Sequence, residues 1–278
     1  MSARPIATDA ATDSPLRIMN APSSFEQRLE SSGGQPFVFD HGDMRTLHFD
    51  HKYVQSAMSI SAPDKLLLSY TRAMMGFMLF QPAPKHILLV GLGGGSLAKY
   101  CYRHFPEARI TVLELSAEVI ALRDHFMIPA DDQRFQVIHT DAAAYMQAQQ
   151  GNIADIIMLD GFSADGPAEA LSTSGFYAAC LRNLAAGGIL VSNLWDRPDF
   201  LVQAIGQALA ASDWRIWWCR TSDSHNCIAF FIKGSVTPLF RTMILRRAKK
   251  LDAQFGLQLS ELVPSFQLVR DQPEEESV

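Results

Sequence analysis

No run of the 278 residues comes near the ~20 consecutive apolar positions that a membrane-crossing helix needs. The first 35 residues, where Arg4 is followed by a mixture of Ala, Thr, Asp, Ser and Pro, contain no continuous apolar stretch of the kind a signal peptide carries. Both absences point to a soluble, cytoplasmic protein. Cysteine is scarce: Cys101, Cys180, Cys219 and Cys227 stand apart with no C-x-x-C pair, which suits a reducing compartment and argues against a zinc knuckle or a disulfide framework. They are expected as small core residues. Basic charge is in deficit, 24 Lys and Arg against 29 Asp and Glu for a net charge of −5, with no basic stripe, so the electrostatic footprint of a nucleic-acid binder is missing. What the chain has in quantity is apolar residues, 48% of the total, enough at this length to bury one large core with a small appended subdomain.

Residues 1–35 are polar, rich in Ala, Ser and Gly, and end in SSGGQP; such a composition buries too little apolar surface to order itself, and a disordered tail is expected. PFVFDHGDMRTLHFDHKYVQSAM (36–58) alternates short β-favouring runs with turn signals at 41–43 and 50–52, which predicts a small antiparallel meander, a subdomain over 36–61 capping the main domain. Residues 62–84 carry a helical start at Pro63 and Asp64, apolar residues at helical spacing, and stops at Pro82 and Pro84. From His86 one rhythm takes over. Apolar strands over 86–92, 109–115, 135–141, 154–160 and 187–195 are separated by helices over 97–105, 116–126, 142–149 and 174–185. That alternation describes a doubly wound, mostly parallel, Rossmann-like α/β domain over 62–270, its sheet covered on both faces. A helix near 198–211 and the hairpin pair WRIWWCR and CIAFFIKG, added antiparallel to one sheet edge, complete it. The end, 271–278, reads as an acidic tail.

The loop between 86–92 and the next helix, GLGGGS, places four glycines in five positions, Gly91, Gly93, Gly94 and Gly95. In a doubly wound sheet the ligand lies beyond the carboxyl ends of the strands where strand order reverses, and the first βα turn is nearest to it. Glycine suits that turn because it accepts positive φ and keeps Cβ atoms away from a close-lying ligand. The spacing is G-x-G-x-G with Ser96 in place of the last glycine of the dinucleotide pattern, which weakens a nicotinamide-cofactor reading. Glu114 closes the second strand 21 residues after Gly93, where a carboxylate accepts hydrogen bonds from ribose hydroxyls. Asp141 closes the third, where it can meet the adenine amine, cap the helix beginning at Ala142, or both. Three strand ends therefore converge on an adenosine-shaped ligand.

With these residues in view, the chain resembles the spermidine synthase (polyamine aminopropyltransferase) family, whose fold is of the class I methyltransferase type. The family shows a loop like G-G-G-D-G-G, a V-E-I-D strand, a G-D strand end, D-S-S-D-P-x-G-P-A-E-x-L-F-T-x-x-F-Y, and a later L-K-P-G-G. The matching stretches are GLGGGS, LELS, TD, DGFSADGPAEALSTSGFY (160–177) and LAAGG. The 160–177 stretch is the specific part: Asp160, Gly166 to Glu169, Leu171, Thr173, Phe176 and Tyr177 fall in register without a gap. The resemblance implies transfer of an aminopropyl group from decarboxylated S-adenosylmethionine to a small amine such as putrescine, with no metal. It implies Asp160 as base and anchor for the amine, the glycine loop and Glu114 as holders of the donor's ribose side, and Asp141 with Ala142 as holders of its adenine. Gln55, Tyr70, Ser163 and Asp165 are implied on the amine side, and a homodimer is a family habit.

The departures from the family pattern remove negative charge. Gly94 stands where the family has the loop aspartate, Ser163 where it has the second aspartate of D-S-S-D with Asp165 two residues on, and SYT at 69–71 replaces a Y-H-E run. A dication is costly to desolvate without acidic partners. Two alternatives therefore stay open, a methyltransferase using intact S-adenosylmethionine and a noncatalytic nucleoside-binding relative. Elsewhere, His41, Asp43, His48, Asp50 and His51 cluster in the meander but alternate in direction along strands, so turn and surface roles are expected rather than a metal site. Trp214, Trp217 and Trp218 are expected in the core, and Asn193 with Trp195 ends its strand near the crevice.

Overall fold

The computed structural model describes residues 23–51, 54–163, 166–167, 169–194, 214–221, 226–234 and 241–269. Its first element, helix α1 (Ser23–Ser32), forms in a span whose composition suggests no order. One residue accounts for it. The buried Phe25 ring packs against Phe37, Phe39 and His48, centroids 5.6, 5.1 and 4.9 Å away, so an aromatic anchor ties down an otherwise polar helix. Strands β1 (Phe37–His41), β2 (Met44–His48) and β3 (Ser56–Ser59) form the expected antiparallel meander. Gly42 takes φ +58° in the two-residue β1–β2 turn, and the Asp43 carboxylate beside it accepts from the hydroxyls of Ser59 and Ser61 and from the Ser61 amide.

The helix expected over 62–84 starts later. Helix α2 spans Ser69–Met74 and tightens into a 3₁₀ turn over Met75–Leu79, ahead of the two prolines. Residues before it are engaged otherwise: Asp64 pairs with Arg103 at 2.8 Å, and the Arg72 guanidinium donates back to the carbonyls of Leu66 and Leu67 at 3.1 and 2.7 Å. Then the α/β rhythm runs through β4 (His86–Val90), α3 (Ser96–His104), β5 (Arg109–Glu114), α4 (Ala117–Ala121), β6 (Phe135–His139), α5 (Ala142–Ala148) and β7 (Ala154–Leu159). After a two-residue ladder of β8 (Phe162–Ser163) with β9 (Gly166–Pro167) come α6 (Ser174–Asn183) and β10 (Leu184–Asn193). The hairpin expected on the edge is β11 (Trp214–Arg220) with β12 (Cys227–Lys233). Helix α7 (Arg241–Phe255), in a span with no expected element, a short helix α8 (Leu259–Leu262) running into a 3₁₀ turn over Val263–Ser265, and β13 (Gln267–Leu268) are the last described elements. The helix expected near 198–211 and the tails at 1–22 and 271–278 lie outside the described residues.

The main sheet has the order β13-β11-β12-β10-β7-β4-β5-β6; β10 through β6 are parallel, and β12, β11 and β13 extend one edge antiparallel. Alternate residues of each strand feed two cores. Ile87, Leu89, Val112 and Met158 pack on one face with Phe77, Leu97 and Phe126; Leu88, Val90, Leu113 and Ile157 pack on the other with Met146, Phe176 and Cys180. Burial on both faces is why these strands read as unbroken apolar runs. Cys219 belongs to the first core and Cys227 to the second, and all four cysteines are buried free thiols. Trp217 packs between Phe80 and Phe266, centroids 6.1 and 6.4 Å away, while Trp214 and Trp218 lie against the second core. Among the described residues no helix is long and apolar enough to cross a membrane. The chain leaves β4 outward to β5 and β6 and returns on the other side at β7, so strand order reverses between β4 and β7. In doubly wound sheets such a reversal is where a ligand binds, beyond the carboxyl ends of the strands.

Candidate active site

The glycine loop follows β4 directly. Gly91, Gly93 and Gly95 take φ of +95°, +50° and +67°, the left-handed region that an L side chain resists. Gly91 is also pressed against the end of β7: a Cβ there would lie 2.4 Å from the Asp160 carbonyl oxygen. At Gly94 a Cβ would lie 2.7 Å from Ser56 Oγ and 2.9 Å from the Phe126 ring, so a side chain at this place requires both neighbours to shift. The same contact shows the meander lying over the loop through β3, and Ser56 Oγ reaches Ser96 Oγ at 3.4 Å. Beneath it Lys99 is buried, its Nζ donating to the Phe126 carbonyl at 2.7 Å, and burial lowers its pKa to about 8.

Glu114, at the end of β5, turns back to this loop. Its Oε2 accepts from the Leu92 amide at 2.7 Å and its Oε1 from the Ser116 amide at 2.8 Å, which fixes the carboxylate between two βα turns while leaving each oxygen a second lone pair. Asp141 caps α5, accepting from the amides of Ala143 and Ala144 at 2.7 and 3.3 Å. The Ala142 side chain is buried in the second core, so only its backbone can face a ligand.

Asp160 follows β7, whose Leu159 pairs with Val90 of β4. Its Oδ2 accepts from the Tyr70 hydroxyl of α2 at 3.3 Å and its Oδ1 from the Asn193 side-chain amide of β10 at 2.9 Å. Burial pushes its pKa up from 3.8 to about 6, against the two hydrogen bonds, which hold it down. Burial, and then the neighbouring Asp160, raise the Tyr70 phenol well above its usual range, so it remains a donor. Gln55 is half-buried just before β3, its backbone N–H donating to the Leu47 carbonyl at 3.0 Å. Ser163 is placed by its backbone in β8, and Asp165 lies outside the described residues. Among the described residues no three His, Cys, Asp or Glu side chains gather to hold a metal ion.

The structure thus brings Gly91 to Gly95, Glu114, Tyr70 and Asp160 around the β4–β7 switch. It adds two groups that the motifs did not single out as partners of the acid. Asn193 binds Asp160 directly, a contact that follows once β10 is known to flank β7. Asn226 stands behind Asn193, its Nδ2 donating to Asn193 Oδ1 at 2.9 Å. No sequence pattern links the two, because Asn226 arrives on the antiparallel edge.

This fold with this set of strand ends defines a Rossmann-like protein of the class I methyltransferase type. The chain belongs to the polyamine aminopropyltransferase, or spermidine synthase, family. Residues 67–200 match the family described as "Spermine/spermidine synthase domain". A polyamine aminopropyltransferase of Chromobacterium violaceum is 32% identical over 227 residues, covering 81% of this chain and 87% of the relative. Among solved structures, a probable spermidine synthase from Corynebacterium glutamicum superimposes with a TM-score of 0.62 at 20% identity, over 77% of this chain and 83% of its own. Human methyltransferase-like protein 13, in complex with SAH, gives 0.59 at 19% identity over 76% and 97%. The two structures show the common fold; the sequence relationship distinguishes the branch.

Proposed function

We propose that the chain transfers the aminopropyl group of decarboxylated S-adenosylmethionine to an amine such as putrescine and releases methylthioadenosine. The amine nitrogen attacks the methylene next to the sulfonium; the N–C bond forms as the C–S bond breaks, the bonding pair returns to sulfur as a neutral thioether, and the nitrogen's surplus proton goes to the Asp160 carboxylate. The observation that carries this reading is Asp160 itself: a carboxylate held by Tyr70 and Asn193 at the switch point, beside a loop in which four of five residues are glycine. Its raised pKa, about 6, makes it a stronger proton acceptor than an ordinary aspartate while leaving it ionised near pH 7. Glu114 would take the ribose hydroxyls on its remaining lone pairs, Asp141 and the Ala142 backbone the adenine edge, and Gln55, Ser163 and Asp165 the amine side. Residues 36–61 act as a small subdomain covering the loop.

Gly94 favours a second reading, methyl transfer from intact S-adenosylmethionine, because the loop lacks an acid to attract the donor's ammonium or repel its carboxylate. Incubation with each sulfonium donor and a panel of amines, followed by mass spectrometry of the nucleoside, separates the two. Methylthioadenosine formed only when donor and amine are both present supports aminopropyl transfer; S-adenosylhomocysteine supports the second reading, and no nucleoside product leaves a binding protein. For the working enzyme, kcat/KM should fall about tenfold per pH unit below about 6, as Asp160 becomes protonated. In Tyr70→Phe, which loses a donor to the carboxylate, that limb should move to higher pH.

A further inference from the structure

Asp160 is held by two donors of different kinds. The Tyr70 hydroxyl can rotate to suit the carboxylate, but the Asn193 amide has a donor end and an acceptor end of nearly equal shape. Turned acceptor-first, it would set an oxygen against Asp160 Oδ1, replacing a hydrogen bond with repulsion. An ionised carboxylate only accepts, so Asn193 Nδ2 faces Asp160 at 2.9 Å; its Oδ1 then accepts from Asn226 Nδ2, also at 2.9 Å, which fixes the direction of the whole chain. Asn226 is itself anchored. Its carbonyl accepts from the Thr221 amide at 3.1 Å across the hairpin end, and the carbonyl of Cys227 accepts from the Leu194 amide at 2.9 Å, tying this corner to the end of β10.

We propose that Asn226 is a positioning residue for the transfer: by giving its amide hydrogen to Asn193, it locks Asn193 with its donor end toward Asp160. The proposal rests on Asp160 as the base. It assigns a task to the antiparallel hairpin beyond widening the sheet. Around Asp160, α2 presents Tyr70, β10 presents Asn193 and the glycine loop presents backbone; among the described residues no charged side chain contributes to its shift. Loss of the Asn193 bond should therefore be read directly in how Asp160 titrates.

The test is a carboxyl ¹³C NMR titration of the full-length protein, with the Asp160 signal assigned by its absence in Asp160→Asn. Asn226→Leu should raise the midpoint by about one pH unit, the size expected when a carboxylate loses a fixed hydrogen bond. It should raise the acidic limb of kcat/KM equally. In an Asn193→Leu background the same substitution should add nothing, because Asn226 acts through Asn193. Where Asn226→Leu fails to fold, the smaller and uncharged Asn226→Ala takes its place, with the same expected direction. An unmoved midpoint in a folded variant, or the same shift with and without Asn193, overturns the proposal. The titration needs no turnover: a chain inactive toward every donor and amine defeats the proposed reaction, whereas an active enzyme with an unmoved midpoint defeats the relay alone.

Discussion

Asp160→Asn is expected to lower the rate of methylthioadenosine formation by about a thousandfold, within the range a positioned general base supplies. The amide fills the same space: its oxygen can accept from Asn193, and its NH₂ can donate to the Tyr70 oxygen, so no buried polar group is orphaned. Stability should move the other way. Because the folded-state pKa is raised from 3.8 to about 6, the folded protein binds the proton more tightly than the unfolded chain. The resulting stability is fully present below pH 3.8 and is lost as pH rises through about 6. The asparagine variant carries no such penalty, so above pH 7 it should be more stable than the parent by about 1–2 kcal/mol, the pKa difference discounted for partial exposure. Thermal melts at pH 4 and pH 8 measure this, and the gap between the two proteins should narrow at the lower pH. Loss of activity together with loss of stability at pH 8 would instead mark Asp160 as structural.

Gly91→Ala should be the most damaging change in the glycine loop. It combines φ of +95° with a Cβ that would sit 2.4 Å from the Asp160 carbonyl oxygen, a backbone atom that cannot move without prying β4 from β7. Strain of this kind costs about 3–5 kcal/mol in all. The substitution also pushes on the residue that carries the proposed base, so binding of methylthioadenosine should weaken at least tenfold in whatever fraction folds. Gly93→Ala is the control: φ there is +50°, and the nearest atom to an added Cβ is Ser56 Cβ at 3.8 Å, so it should cost far less. Denaturant melts and calorimetric titration of the two variants rank them. Equal effects would mean that the loop as a whole, rather than the β4–β7 contact, sets the requirement for glycine.

What was readable in the sequence follows from how local its causes are. Strands buried on both faces announce themselves as apolar runs, and the residue closing each run, Glu114 or Asp160, falls at the edge of the crevice whatever the details of packing. Helix α1 was not readable, because it is stabilised by one phenylalanine reaching strands that come later in the chain. Helix α2 starts at Ser69 and not at the Pro63–Asp64 signal; Asp64 instead meets Arg103, a partner 39 positions on that no local pattern reveals. Within the site, Asn193 needed only the strand order. Asn226 needed the pairing of an antiparallel edge strand as well. The absent loop acid is visible as Gly94, but the two side chains that would have to shift to admit one, the Ser56 hydroxyl and the Phe126 ring, are tertiary neighbours.

In the proposed reaction an amine meets the donor's sulfonium carbon at Asp160. A crystal structure of the protein with methylthioadenosine and a diamine bound tests this. The account predicts the adenosine over Gly91 to Gly95 with its ribose on Glu114, and an amine nitrogen about 2.6–3.2 Å from an Asp160 carboxylate oxygen, directed at the thioether sulfur. An amine seated away from Asp160, or a nucleoside lying anywhere but the β4–β7 crevice, would contradict it.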